Sequence, residues 1–268
     1  MKLLDGRALA QEINASVQLR VRRLSEAPTL AILACNPNFE TQKYLELKKR
    51  IAADLGILIT VTILPKEADT EACLKEIATL AQKSSGIIVQ LPLPLHIDTP
   101  AVLAAISVSR DVDAFSYLGE EGAVLPPVLG AIDEFAKRFS IPFKNSAVVI
   151  FGAGRLVGIP ALHYAKAKGA RVTVLTEVES AAEVERATLA ADIIILGVGK
   201  PGLLTATMVR EGVVVFDAGA SEDGGLLVGD AAEDVATKAA FFTPVPGGIG
   251  PVTIALLFRN LLDLSARQ

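Results

Sequence analysis

Cysteine is scarce: Cys35 and Cys73 are the only two in 268 residues. Two cysteines cannot staple a fold of this size, and they lack metal-ligand spacing. No disulfide framework and no metal site are expected, and a reducing, cytoplasmic compartment is the better fit. Long apolar runs are also missing. No stretch offers the roughly 18–20 uninterrupted apolar residues of a membrane span. The opening Met1-Lys2-Leu3-Leu4-Asp5-Gly6-Arg7 has no apolar core of signal-peptide length. Nor is there an excess of positive charge: 26 Lys+Arg against 30 Asp+Glu give a net charge of −4. Such a chain is a poor partner for nucleic acid. What is abundant is core material. Hydrophobic residues make up 51% and charged residues 21%, which excludes a disordered chain. The length suits one large domain or two modest ones.

The apolar segments alternate in type. Residues 30–34 form a short apolar run stopped by Asn36-Pro37-Asn38, which predicts a buried strand. Residues 41–55 have helical spacing, with Tyr44, Leu47, Ile51 and Leu55 expected on one face and Gly56 closing the end. Strands follow at 57–64 and 86–90, with a helix at 70–82 directing Cys73, Ile77 and Leu80 inward. Strands apolar throughout, in β-α-β-α-β order, indicate a parallel sheet covered on both faces.

After Leu125-Pro126-Pro127 a second unit is expected: a helix at 131–139, a strand at 147–151, a glycine turn at 152–158 and a helix at 160–168. Strands at 171–175, 192–196 and 213–217 and a glycine loop at Gly224-Gly225 continue this nucleotide-binding pattern. A last helix at 251–264 carries Ile254, Leu257, Leu261 and Leu264 on one stripe. The expected fold is α/β: two α/β domains with a cleft between them, the second a Rossmann-like dinucleotide-binding domain. Residues 1–118 with 251–268 form the first and 119–250 the second, and ligands commonly bind in such a cleft.

Gly152-Ala153-Gly154-Arg155-Leu156-Val157-Gly158 sits between strand and helix. Gly152 permits the tight turn, Gly154 lets backbone approach a pyrophosphate, and Gly158 allows close helix–sheet packing. The helix N-terminus then offers free N–H groups to the anion. The alternative is a tight turn with no ligand. Glu177, after the next strand, can accept hydrogen bonds from the ribose hydroxyls of NAD and would repel the 2′-phosphate of NADP. It can equally be a solvated loop carboxylate.

Tyr44 and Lys48 stand four apart, on one helical face. By themselves they read as a core-edge tyrosine beside a solvated lysine. Gln90, however, ends an apolar strand, and Asp111-Val112-Asp113 marks the next junction. Polar groups at such strand ends usually point into a cleft. Either aspartate could bind amino or amide donors of a heterocycle, or cap a helix or turn. A lysine in a partly dry cleft has a destabilised ammonium and can act as a general base. Gln90 could orient it without adding charge, and Tyr44 could stack on a flat substrate.

Four blocks together resemble the bifunctional methylenetetrahydrofolate dehydrogenase/methenyltetrahydrofolate cyclohydrolase family. They are Tyr44-x-x-x-Lys48 followed by Leu55-Gly56-Ile57, Gly86-Ile87-Ile88-Val89-Gln90-Leu91-Pro92-Leu93-Pro94, Asp111-Val112-Asp113-x-Phe115, and Thr243-Pro244-Val245-Pro246-Gly247-Gly248-Ile249-Gly250-Pro251-Val252-Thr253. The resemblance implies oxidation of 5,10-methylenetetrahydrofolate with a nicotinamide cofactor, then hydrolysis of the methenyl product to 10-formyltetrahydrofolate. It implies Lys48 as the catalytic lysine with Tyr44 and Gln90 assisting, and Asp113 as the pterin-binding carboxylate. Pro246, Gly247 and Gly248 would line the folate and nicotinamide sites, with Ile249 beside the cofactor. It also implies a homodimer.

The chain departs from the family where the cofactor would bind. Ala153 and Gly154 replace an Arg-Ser pair, and Thr176-Glu177 falls where the family has a Cys-His-Ser run. The family's contacts to a 2′-phosphate are thereby replaced, so NAD is expected over NADP, with Arg155 the residue that could still reach a phosphate. Leu125-Pro126-Pro127-Val128 stands for a Pro-Cys-Thr-Pro block, and Ala114 for a glycine. The competing expectations are a cyclohydrolase with a weakened dehydrogenase, which the changed turn beside an intact Lys48 allows, and a non-catalytic folate-binding protein, which would not need Lys48.

Overall fold

The computed structural model describes residues 2–267, apart from the side chain of Glu40. In chain order the strands and α-helices are β1 (Lys2–Leu3), α1 (Gly6–Val21), β2 (Thr29–Cys35), α2 (Phe39–Leu55), β3 (Leu58–Leu64), α3 (Thr70–Ala81), β4 (Gly86–Val89), α4 (Thr99–Ala104), α5 (Pro127–Arg138), β5 (Ala147–Phe151), α6 (Gly158–Ala167), β6 (Arg171–Leu175), α7 (Ala181–Leu189), β7 (Ile193–Leu196), β8 (Val214–Asp217), β9 (Ser221–Asp223), β10 (Leu226–Val228), β11 (Phe241–Phe242) and α8 (Ile249–Ser265). The chain divides into two compact units. One holds residues 11–116 and 254–268, the other residues 1–10 and 117–253. Among the described residues no helix is long and apolar enough to cross a membrane.

The first, the lysine unit, is built on a parallel three-stranded sheet in the order β3-β2-β4. Every residue of β4 is buried, as an all-apolar strand covered on both faces requires. Asn38 starts α2 by accepting a hydrogen bond from the Thr41 N–H at 2.8 Å. Gly56 ends it at φ 77°, a left-handed cap that glycine reaches at little cost. Asp69 caps α3 in the same way, and Cys73, Ile77 and Leu80 turn inward as the spacing predicts. They pack on Ala31, Leu33, Ile87 and Val89. Helix α8 adds the expected stripe of Ile254, Leu257, Leu261 and Leu264, all buried.

The face expected for α2 is corrected. Leu45, Lys48, Ala52 and Leu55 are its buried residues, whereas Tyr44 is 39% exposed and Leu47 and Ile51 are half-buried. The stripe is rotated by about one position, so the lysine lies inward and the tyrosine outward.

The second, the glycine-turn unit, has a six-stranded sheet ordered β1-β11-β8-β7-β5-β6, all of its pairings parallel. Strand β5, which leads into the glycine turn, has β6 on one side and β7 on the other. The strand order therefore reverses at β5, where ligands of open α/β sheets bind. Val149, Ile194, Leu196, Val215 and Phe242 fill the core on one side. Beside it, β9 and β10 form an antiparallel ribbon turning at Gly224 and Gly225. Helix α5 starts earlier than expected, with Pro126 at its N-cap and Pro127 in its first turn. Proline suits that place because its missing N–H has no helical partner there. The expected boundary also moves at the N-terminus: Lys2 and Leu3 pair with Phe241 and Phe242, which ties residues 1–10 to this unit.

Candidate active site

In the lysine unit, α2 carries Lys48 inward until only 4% of its surface is exposed. Its Nζ donates to Gln90 Oε1 at 2.8 Å. Gln90 follows β4 directly, and its own Nε2 donates to the Leu91 carbonyl at 3.1 Å. The amide is thereby turned so that its oxygen faces the lysine. Nζ also lies 5.3 Å from the centre of the Tyr44 ring, within cation–π range. Burial pushes the Lys48 ammonium below its ordinary pKa, and the Asp113 carboxylate works against that fall. Asp113 is pushed up by burial and held down by Lys48. Burial and Asp113 raise the Tyr44 phenol to about 12, although the ring keeps an exposed surface. Tyr44, Lys48, Gln90 and Asp113 thus form one group.

The turn that presents Asp113 is organised by Asp111. This residue pairs with Ile87 in a parallel bridge beside β4. It is 4% exposed, and its Oδ2 accepts the Phe115 N–H at 2.7 Å. Its other carboxylate oxygen is buried with no hydrogen-bond partner among the described residues. Burial and the nearby Asp113 charge push its pKa up to about 7, against the pull of the backbone N–H groups. Of the two readings open for Asp111, the turn-capping one fits its contacts. Ala114, at φ 52°, occupies the left-handed region that its glycine counterpart would enter freely.

In the glycine-turn unit, Gly152 has φ 81°. A Cβ on Gly158 would collide with the Gly152 carbonyl oxygen, so this glycine is demanded by helix–strand packing. Gly154 differs: a Cβ there would meet nothing within 4 Å. The chain's own packing does not require a glycine at Gly154, and the open space above it suits a ligand. Ala153, Arg155 and Glu177 are exposed. The loop after β6 is tied by Glu179, whose Oε2 accepts the Thr176 N–H at 2.6 Å and the Thr176 hydroxyl at 3.0 Å. Glu177 has no part in that bracing.

Pro246, Gly247 and Gly248 lie in the glycine-turn unit, next to the start of α1. The Gly6 N–H donates to the Gly247 carbonyl at 2.8 Å, and a Cβ on Gly6 would run into Gly248. Ile249 opens α8 and is 3% exposed.

Known proteins match this arrangement over its whole length. The family pattern described as tetrahydrofolate dehydrogenase/cyclohydrolase, catalytic domain, matches residues 4–113. The one described as tetrahydrofolate dehydrogenase/cyclohydrolase, NAD(P)-binding domain, matches residues 126–268. The chain belongs to the tetrahydrofolate dehydrogenase/cyclohydrolase family. It is similar to the bifunctional protein FolD of Sulfurihydrogenibium sp. (strain YO3AOP1), at 35% identity over 100% of this chain and 99% of that one. The crystal structure of the bifunctional enzyme FolD, methylenetetrahydrofolate dehydrogenase/cyclohydrolase, from Campylobacter jejuni superposes with a TM-score of 0.95, at 34% identity over 100% and 99% of the two chains. The Trypanosoma brucei methylenetetrahydrofolate dehydrogenase-cyclohydrolase, solved with NADP and an inhibitor, gives 0.92 at 31% identity, over 99% and 97%.

As a member of the tetrahydrofolate dehydrogenase/cyclohydrolase family, the protein is an enzyme of one-carbon folate metabolism that works with a nicotinamide cofactor. The sequence patterns did not single out two buried carboxylates in the half that binds it. Asp217, which ends β8, is 1% exposed, and Asp230 is fully buried. An acidic residue closing an apolar strand is the signal that could have flagged Asp217, as a polar strand end flagged Gln90.

Proposed function

We propose that this protein oxidises 5,10-methylenetetrahydrofolate and hydrolyses the resulting 5,10-methenyl cation to 10-formyltetrahydrofolate, with Lys48 as its proton-handling group. The observation that carries this is the burial of Lys48 against Gln90 Oε1 at 2.8 Å, in the part of the chain matching the family's catalytic domain. Burial lowers the lysine pKa, which raises the fraction of neutral amine near pH 7. A neutral Nζ can take a proton from the water that adds to the methenyl carbon. The ring then opens at N5, leaving the formyl group on N10. Gln90 holds the amine in place without adding charge. Asp113, at the end of the turn braced by Asp111, is suited to accept hydrogen bonds from the amino and amide N–H groups of a pterin. Tyr44 offers its exposed ring to a flat substrate.

The nicotinamide cofactor fits the turn of Gly152, Ala153, Gly154, Arg155 and Gly158, given the space above Gly154. When bound it supplies the acceptor for hydride. We further propose that the cofactor is NAD. Ala153 and Gly154 bring no cation or hydroxyl to a 2′-phosphate, and Glu177 adds a carboxylate that repels one. Pro246, Gly247, Gly248 and Ile249 belong to the same unit. We also propose a homodimer, for which the exposed Leu226 and Leu227 of β10 offer apolar surface. The two free, buried cysteines suit a reducing cytoplasm.

The test follows absorbance during incubation with methylenetetrahydrofolate plus NAD or NADP, using wild type and Lys48→Ala. The expected result is higher kcat/KM with NAD. Lys48→Ala is expected to lower methenyltetrahydrofolate hydrolysis by about 10²- to 10⁴-fold. Better turnover with NADP would overturn the cofactor reading alone. Hydrolysis without reduction of either cofactor would favour a cyclohydrolase whose dehydrogenase is weak. Binding of folate without turnover would leave only a binding protein.

A further inference from the structure

We infer that Asp230, outside every motif named above, is a positioning residue of the dinucleotide site, acting through the loop that leaves β7. The inference rests on reading the glycine turn as the cofactor site. The loop is Gly197-Val198-Gly199-Lys200, at the carboxyl end of the strand beside β5. Its three successive N–H groups at Val198, Gly199 and Lys200 all donate to the one carboxylate of Asp230. Oδ2 accepts from Val198 at 2.7 Å and Gly199 at 3.2 Å, and Oδ1 accepts from Lys200 at 2.7 Å. Asp230 is itself fixed: its carbonyl accepts the Leu204 N–H at 3.2 Å. Gly219 lies so close to its carboxylate that a Cβ there would collide with it.

The clamp has a consequence at the glycine turn. A Cβ placed on Gly152 would lie 3.2 Å from Val198 Cγ2, and one on Gly197 would lie 2.7 Å from Val157 Cβ. The β7 loop and the glycine turn therefore touch along both edges. Val198 nevertheless keeps 44% of its surface exposed, as an apolar side chain standing at the switch point of the sheet. Because Asp230 engages the loop's N–H groups, the loop meets a ligand with the Val198 side chain, in one position. A loop held ready in its bound shape spares the entropy of ordering it on binding. A loop with its N–H groups released must be ordered by the cofactor itself.

Asp230→Asn keeps the size but turns one acceptor oxygen into a donor, which opposes at least one of the three N–H groups. The expected result is a KM for the nicotinamide cofactor raised about tenfold, with kcat at saturating cofactor within about threefold of wild type. Methenyltetrahydrofolate hydrolysis, which consumes no dinucleotide, is expected to stay within about twofold, and amide exchange at residues 198–200 to quicken. Val198→Gly, at an exposed position that folding does not need, covers the case in which Asp230→Asn fails to fold. It is expected to raise the cofactor KM about threefold while leaving hydrolysis unchanged. If wild type binds NAD or NADP and Val198→Gly binds it equally well, the loop does not meet the cofactor and the inference is overturned. Equal losses of kcat for both reactions in Asp230→Asn would also overturn it, because they mark a general structural role. Wild type that binds neither dinucleotide would overturn the reading of the glycine turn itself.

Discussion

The lysine unit makes its site by taking charged side chains out of water, whereas the glycine-turn unit makes its site by leaving side chains out. Lys48, Asp113 and Asp111 all lie in the first, and each has its proton affinity moved by burial and by a charged neighbour. In the second, Ala153, Arg155 and Glu177 stay exposed, and the space above Gly154 is open. The contrast follows the two tasks. Proton transfer at neutral pH needs an amine that water has been kept from stabilising as the ammonium. Holding a pyrophosphate needs backbone N–H groups and room. The first arrangement is costly to the fold, since each buried charge must find a partner. The second depends on a few glycines.

The sharpest way to break the comparison is to add one methyl group at each of two glycines. Gly158→Ala puts a Cβ into the Gly152 carbonyl. The turn must shift, and cofactor binding is expected to fall by about 100-fold, with thermal stability falling as well. Gly154→Ala meets nothing in the protein. Its melting temperature is expected to stay within about 1 °C of wild type, while the cofactor KM rises about tenfold, because on the proposed reading the cofactor occupies that space. Calorimetry beside a cofactor titration separates the two. Equal binding by Gly154→Ala and wild type would remove Gly154 from the site.

A middle-sized effect tests whether the lysine unit works by coupled charges. Asp113 opposes the burial-driven fall in the Lys48 pKa. Asp113→Asn removes that opposition, so the Lys48 pKa should drop further below 10.5. In the proposed mechanism hydrolysis needs the neutral amine, so activity should rise with pH through that pKa. The midpoint of the rise in kcat should therefore move to lower pH in Asp113→Asn. The folate KM should increase at the same time, because the carboxylate proposed to bind the pterin has been lost. A kcat profile with an unmoved midpoint would show that Lys48 does not feel Asp113 in the working enzyme.

The two sites were legible to different degrees, for physical reasons. The strand–glycine–helix order of residues 147–168 is local, and its consequences are local: Gly152 turns, Gly158 packs and β6 follows in register. Spacing alone conveys that. The lysine site depends on side chains 42 positions apart, and local rules gave the wrong face of α2. They ranked Tyr44 as apolar and Lys48 as polar, and so sent the tyrosine inward. A buried lysine has tertiary causes, here Gln90 just after β4 and Asp113 from a later turn, which helix periodicity cannot register. Polar strand ends suggested that Gln90 and the Asp111-Val112-Asp113 junction share a cleft with Lys48, and the family resemblance then assigned the roles. The same limit hid Asp230, whose three partners lie about 30 residues earlier. It also hid β1, a two-residue strand defined only by Phe241 and Phe242.

The smallest effect lies where Asp113 is presented. Ala114 holds φ 52°, a region that costs an L-residue roughly 1–2 kcal/mol and glycine much less. Ala114→Gly removes that strain, but it also exposes the unfolded chain's extra freedom, worth roughly 0.5–1 kcal/mol, and deletes a methyl group that is only 7% exposed. The terms nearly cancel, so the melting temperature is expected to move by no more than about 2–4 °C in either direction. Activity offers the sharper reading. Asp111 Oδ2 grips the Phe115 N–H at 2.7 Å, beyond Ala114, so the turn is anchored on the far side of the substitution. Asp113 should therefore keep its place, and the folate KM should stay within about twofold of wild type. A larger rise in KM would mean that the alanine methyl, rather than the Asp111 anchor, holds the turn in shape.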